Sequence, residues 1–316
     1  MNLTRALLTA TVALAAPVAA AQTLAPPFTP PPAPVAGPPP DLAFGAYQRG
    51  FYLTAFQEAM KRVAANAKDA AAMTLIGEIY RDGYAVKLDT GEAARWYRLA
   101  SNLGDREAAF ELGALLLTGA PGVDKNVAAA KAQFERAAAK GQAGAHYNLG
   151  VMALGHDGAG QDFAKAADYF RRAAEAGDED GAYSYGVLLR EGKGAPLDIA
   201  ASAQWLKRAA DAGVIAGQVE YAIMLFNGVG VAKDEAGAAK IFLRAAARNN
   251  PIAQNRLAHL YATGRGVPKD LLEAAVWNRF AQAAGLDDPE LDAATAGLTP
   301  DERARVDALV RRQAAF

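Results

Sequence analysis

Apolar residues recur at helical spacing along most of this chain, and the helical stretches themselves recur with a fixed beat. Leu75, Ile79 and Tyr80 flank Gly77, and the pattern predicts a helix over residues 71–81. A loop containing Gly83 breaks it. Asp89 then opens a second helix, expected over residues 92–102, and Gly104 closes it. The same helix–loop–helix unit returns five more times. A small residue after an apolar one marks each first helix: Gly77, Gly113, Gly150, Gly186, Ala222 and Ala258, with gaps of 36, 37, 36, 36 and 36. A second register of Gly104, Gly141, Gly177, Gly213, Asn249 and Gly285 keeps step, as does a third of Asp89, Asn126, Asp162, Asp198, Asp234 and Asp270. Three registers in phase over more than 200 residues imply an all-α, right-handed solenoid. In such a fold each unit buries its apolar face only against its neighbours.

Each register has a physical reason. An Asp or Asn at the start of the second helix accepts a hydrogen bond from an otherwise unpaired N–H, worth about 1 kcal/mol. Glu92 and Glu273 stand three residues after such a cap, the spacing of a reciprocal capping box. Glycine at the end of the second helix supplies the left-handed backbone that stops it. The small anchor residues let the paired helix approach, and Ala93, Ala130, Ala166, Ser202, Ala238 and Ala274 hold the matching register of the second helix. Trp96, Tyr97, Phe134, Tyr169, Phe170, Trp205, Phe242 and Trp277 read as core.

The two ends depart from the period. Residues 1–21 carry Arg5, an apolar run from Ala6 to Ala16 and a closing Ala19-Ala20-Ala21. This is the pattern of a cleaved secretory signal peptide, and the run is shorter than the roughly 20 residues a membrane span needs. Residues 22–44 read as a proline-rich linker, since nine of the fifteen residues from Pro26 to Pro40 are proline and favour an extended tether. A degenerate first unit precedes six full ones, so the solenoid is expected over residues 45–286. Residues 287–316 read as a linker and a capping helix, its start marked by Thr299-Pro300-Asp301-Glu302. Localisation is therefore expected to be periplasmic or secreted, with no membrane span after signal cleavage.

Charge and chemistry narrow the function. There are 33 basic and 34 acidic residues, which lacks the basic footprint of a nucleic-acid binder. There are no cysteines, so no disulfides or thiol nucleophiles. His146, His156 and His259 lie in different units without metal-ligand spacing, and read as surface or edge residues. Gly228-Val229-Gly230 and Gly264-Arg265-Gly266 belong to repeat loops and follow no strand, so a dinucleotide site fails. No catalytic, cofactor or metal site is expected.

The sixth unit reads Ala253, Leu257, Ala258, Tyr261, Gly264, Gly266, Val267, Pro268, Asp270, Ala274, Trp277, Ala281 and Gly285. In this it resembles the Sel-one-like repeat, a relative of the tetratricopeptide repeat with a longer loop. The resemblance runs over residues 46–286, and the third unit departs most, through its loop Gly155-His156-Asp157-Gly158-Ala159-Gly160. It implies an adaptor or scaffold that assembles complexes, often in bacterial envelopes. A cysteine-rich branch of the family acts on β-lactams, but relies on disulfides that this chain cannot form.

By analogy with such repeats, the first helices line the concave side. Positions three before, one after and four after each anchor share one helix face. The resulting candidate groove for a peptide or protein partner comprises Phe110, Leu117, Tyr147, Leu154, Tyr183, Arg190, Val219 and Phe226. The alternative is that curvature buries these residues between units. The functional expectation is a non-enzymatic binding scaffold in the bacterial envelope. The rival is an envelope hydrolase or binder acting on β-lactam or peptidoglycan, and peptidoglycan association is a further expected partner mode.

Overall fold

The computed structural model describes residues 41–156 and 160–313. The expected signal peptide and the linker up to residue 40 lie outside the described residues. Helix α1 (Leu42–Gln48) begins inside the expected linker, because Asp41 caps it by accepting the Phe44 N–H at 3.0 Å. With α2 (Tyr52–Ala65) it forms a short leading pair.

Six helix pairs follow. They are α3 (Ala70–Asp82) with α4 (Thr90–Asn102), α5 (Arg106–Thr118) with α6 (Val127–Ala138), and α7 (Ala143–Val151) with α8 (Phe163–Glu175). Then come α9 (Glu179–Glu191) with α10 (Ile199–Asp211), α11 (Ile215–Asn227) with α12 (Glu235–Ala246), and α13 (Pro251–Thr263) with α14 (Leu271–Ala283). Each helix packs on the one before and the one after it in the chain, as a solenoid requires.

The anchor glycines are small because a ring lies on them. A Cβ on Gly77 would stand 2.6 Å from the Tyr97 ring, one on Gly113 2.8 Å from Phe134, and one on Gly150 2.6 Å from Phe170. All three rings are buried. On the facing helix, Ala93, Ala130, Ala166, Ser202, Ala238 and Ala274 are fully buried. Ser202 satisfies its hydroxyl by donating to the carbonyl of anchor Gly186 at 2.7 Å. Trp96, Tyr169 and Trp205, expected as core, are half-buried. They sit one residue before Tyr97, Phe170 and Leu206, whereas Trp277 at the same register is buried.

The cap register does two jobs. The side chains of Asp89, Asn126, Asp162, Asp198, Asp234 and Asp270 all accept backbone N–H groups of the second helix. Their own N–H groups donate back to the first helix, to Tyr80, Leu116, Ala153, Leu189, Leu225 and Tyr261 carbonyls at 2.7–3.1 Å. This corrects the expected capping boxes at Glu92 and Glu273. The cap N–H that a capping-box Glu would accept is already bonded to the first helix, and Glu92 pairs with Arg95 instead. A complete box forms where no first helix competes: Thr299 N–H donates to Glu302 at 2.8 Å, and the Glu302 N–H to the Thr299 hydroxyl at 3.3 Å.

Loop glycines join one unit to the next. Gly194 has φ +73°, and a Cβ there would overlap the carbonyl of Phe163, the first residue of the preceding second helix. Gly230 and Gly266 repeat the contact on Ile199 and Glu235. The second-helix ends also take positive φ, with Asn249 at +60° standing in for glycine. The third unit differs. Its first helix ends in a π-helical turn over Met152–His156, with Gly155 at φ +89°.

After α14 the expected linker contains a helix, α15 (Pro289–Thr295), opened by Asp288. The final helix, α16 (Pro300–Gln313), lays Val306, Leu309 and Val310 against Ala275 and Val276 of α14. It thereby covers the last repeat.

Candidate functional site

The first helices present one face built from the positions three before, one after and four after each anchor. Phe110 packs beside Phe134 with ring centroids 6.0 Å apart, and a Cβ on Gly144 of the next unit would lie 3.1 Å from its ring. Tyr147 sits 5.6 Å from the buried Phe170. Tyr183 leans on the core of the C-terminal units. All three rings are half-buried. Leu117, Leu154, Arg190 and Phe226 are half-buried as well. Val219 is the exception and a correction, at 5% exposure inside the core. Its short branched side chain ends where the helices meet, whereas a tyrosine at the same register reaches past them.

Polar groups on this face are paired in a repeating way. Arg81, four after its anchor, pairs at 2.7 Å with Glu111, two before the next. Arg190 pairs with Glu220 in the same registers. The spacing of 30 residues was open to reading from the aligned registers. Glu78 lies beside the first of these pairs. Burial raises its carboxyl, helped by Glu111, Asp82 and Asp105, although Arg81 opposes them. Burial likewise raises the Tyr147 and Tyr183 hydroxyls, with further upward pushes on Tyr147 from Asp180 and Asp178 and on Tyr183 from Glu220. Neither hydroxyl hydrogen-bonds to another described residue, so both are free to meet a partner.

The histidines fall into distinct settings. His146 is half-buried. Its Nδ1 is buried without a hydrogen-bond partner among the described residues, and its ring lies 6.3 Å from the Tyr169 ring. His259 meets Asp288 at 2.8 Å, and Asn255 reaches the same carboxylate at 2.7 Å. Burial pushes the Asp288 carboxyl up, but the hydrogen bonds from Asn255 and His259 outweigh it and bring it down to about 2. Asp288 also caps α15, so one residue ties the last repeat to the C-terminal helices. Among the described residues, no group of histidines and carboxylates could hold a metal ion. No helix among them is long and apolar enough to cross a membrane.

A cavity of about 420 Å³ opens on the same face between α11, α13 and α15. Ile223, Phe226 and Leu260 form its apolar wall. The Arg265 guanidinium lies 4.2 Å above the Phe226 ring and bonds Glu235 at 2.6 Å. This cavity was hidden in the sequence because α15 was not recognised. The signal was present in Asp288-Pro289-Glu290, a cap followed by proline and an acid.

Against known proteins, the Sel1 repeat model matches residues 70–105, 106–142, 143–178, 180–214, 215–250 and 251–281, well over half of the chain. The chain is similar to the crystal structure of a Sel1 repeat protein from Oxalobacter formigenes, with a TM-score of 0.65 and 26% identity. That match covers 76% of this chain and 94% of that one. It is also similar to c5321, a protective antigen of uropathogenic Escherichia coli with an SLR fold. There the TM-score is 0.58 at 23% identity, covering 86% of this chain and 67% of that one. No curated protein matches. Repeats of this kind generally mediate protein–protein interactions and are typically non-catalytic. Six consecutive units with shared anchors, caps and loop glycines make this chain a member of the Sel1 repeat family.

Proposed function

We propose that the protein is a non-enzymatic scaffold of the bacterial envelope that binds a peptide or protein partner along its first-helix face. The observation that carries the reading is the row of half-buried rings at Phe110, Tyr147 and Tyr183. Rings already partly held by neighbouring side chains suit binding, because little side-chain entropy is lost when a partner covers them. The envelope location rests on Arg5, the apolar run and the closing alanines of residues 1–21.

The test is affinity capture from envelope extract with the chain from residue 22 onward, and with a Tyr147→Ala/Tyr183→Ala variant. A single protein recovered in stoichiometric amount by the first and lost by the second is the expected result. Retention on peptidoglycan sacculi with no protein recovered would overturn the reading in favour of a wall-binding role. Equal capture by the folded variant would remove the groove.

A further inference from the structure

Two of the five junctions between first helices carry an ion pair, and the second, third and fifth do not, with Leu117 and Asn148, Leu154 and Ser184, and Phe226 and Arg256 at the matching positions. Arg81 with Glu111, and Arg190 with Glu220, tie neighbouring first helices through the positions four after one anchor and two before the next. At the fifth junction, Phe226 and Arg256 both line the cavity described above.

The charges around the cavity divide into two groups. Arg265 is held by Glu235 and by the Phe226 ring, and His259 is held by Asp288. Arg256 on α13 and Glu290 on α15 are both exposed and both line the cavity. Neither side chain has an ion pair or hydrogen bond with another described residue, and they do not pair with each other. The cavity therefore offers one free positive group, one free negative group and an apolar wall of Ile223, Phe226 and Leu260. Its volume of about 420 Å³ falls in the roughly 300–1,000 Å³ range of small-molecule sites.

We propose that this cavity binds a small apolar zwitterion, an α-amino acid or dipeptide. Arg256 takes the carboxylate, Glu290 takes the ammonium, and the side chain lies on Ile223 and Leu260. A guanidinium is the side chain best suited to grip a carboxylate through two parallel hydrogen bonds. The apolar wall selects against polar side chains because it offers them no hydrogen-bond partner. Arg265, already stacked, holds the Phe226 ring in place. This site needs no macromolecular partner, so it stands or falls separately from the scaffold reading.

The experiment is isothermal titration of the purified full chain with leucine, phenylalanine and the dipeptide Leu-Phe, each also in N-acetylated and C-amidated form. The expected result is binding of at least one free zwitterion in the roughly micromolar to millimolar range, weakened about tenfold or more by blocking either end. Preference for the free amino acids or for the dipeptide then identifies the source. Arg256→Gln should bind weakly and no longer respond to amidation, and Glu290→Gln should no longer respond to acetylation. Both positions are exposed, so both variants should fold, which circular dichroism checks. No binding of any free zwitterion up to about 10 mM, equal binding of the blocked forms, or wild-type behaviour of both variants would each overturn the proposal.

Discussion

Gly150 and Tyr147 stand three residues apart on one helix, and they obey opposite rules. The glycine lies under the Phe170 ring, with no space for a single added carbon. The tyrosine sits 5.6 Å from the same ring and stays half-exposed. Units one and two repeat the anchor contact, with Gly77 under Tyr97 and Gly113 under Phe134. Three positions before these anchors the residues vary freely, as Thr74, Phe110, Tyr147, Tyr183, Val219 and Asn255. Packing fixes the glycine anchors that lie under a ring, whereas the position three before each anchor ranges from the buried Thr74 and Val219 to the half-buried Phe110, Tyr147, Tyr183 and Asn255.

The largest expected effect comes from filling an anchor. Gly150→Leu forces a branched chain into the Phe170 contact and should cost about 3 kcal/mol, read as a lower denaturation midpoint. Gly194→Ala should cost about 2 kcal/mol. It combines a left-handed backbone at φ +73° with overlap of the Phe163 carbonyl, and chemical denaturation would show the loss. Asp198→Ala leaves the Ala201 N–H without its acceptor and should cost about 1 kcal/mol. Tyr147→Ala should also cost about 1 kcal/mol, because only half the ring is buried, while abolishing partner capture. If Tyr147→Ala instead unfolded the protein as Gly150→Leu does, the contrast between anchor and face would collapse.

A smaller effect is the pH dependence of His146. Burial pushes its pKa below the usual histidine value, Arg172 adds to this, and Asp168 and the Ala138 carbonyl oppose it. The folded state thus prefers neutral imidazole, whereas the unfolded chain takes up a proton near pH ~6.5. Stability should be full above that pH and fall as the pH drops from there toward the folded value. Thermal melts of wild type and His146→Gln across this window should converge at high pH. Parallel pH profiles would show that the histidine carries none of the dependence.

The sequence disclosed what geometry imposes on every unit. Anchors, caps and closing glycines are in phase because each contact leaves room for few residue types, so the fold was readable from spacing alone. Boundaries set by competition were less legible. Nothing local says that the Asp89 N–H will bond Tyr80, which leaves Glu92 without its capping-box role. Helix α15 escaped because it belongs to no repeat, and the Arg256 and Glu290 cavity escaped with it. The face residues were legible as a face, but their exposure depends on side-chain length. That is why Val219 is core and Tyr183 is not.

Oxidative footprinting of the protein with and without its captured partner tests the central claim most directly. Phe110, Tyr147 and Tyr183 should label in the free chain and be protected in the complex. Leu99 and Leu243, exposed on second helices at 40% and 43%, should label equally in both. Protection of Leu99 and Leu243 with unchanged labelling of the three rings would place the partner on the opposite side of the solenoid and contradict the account.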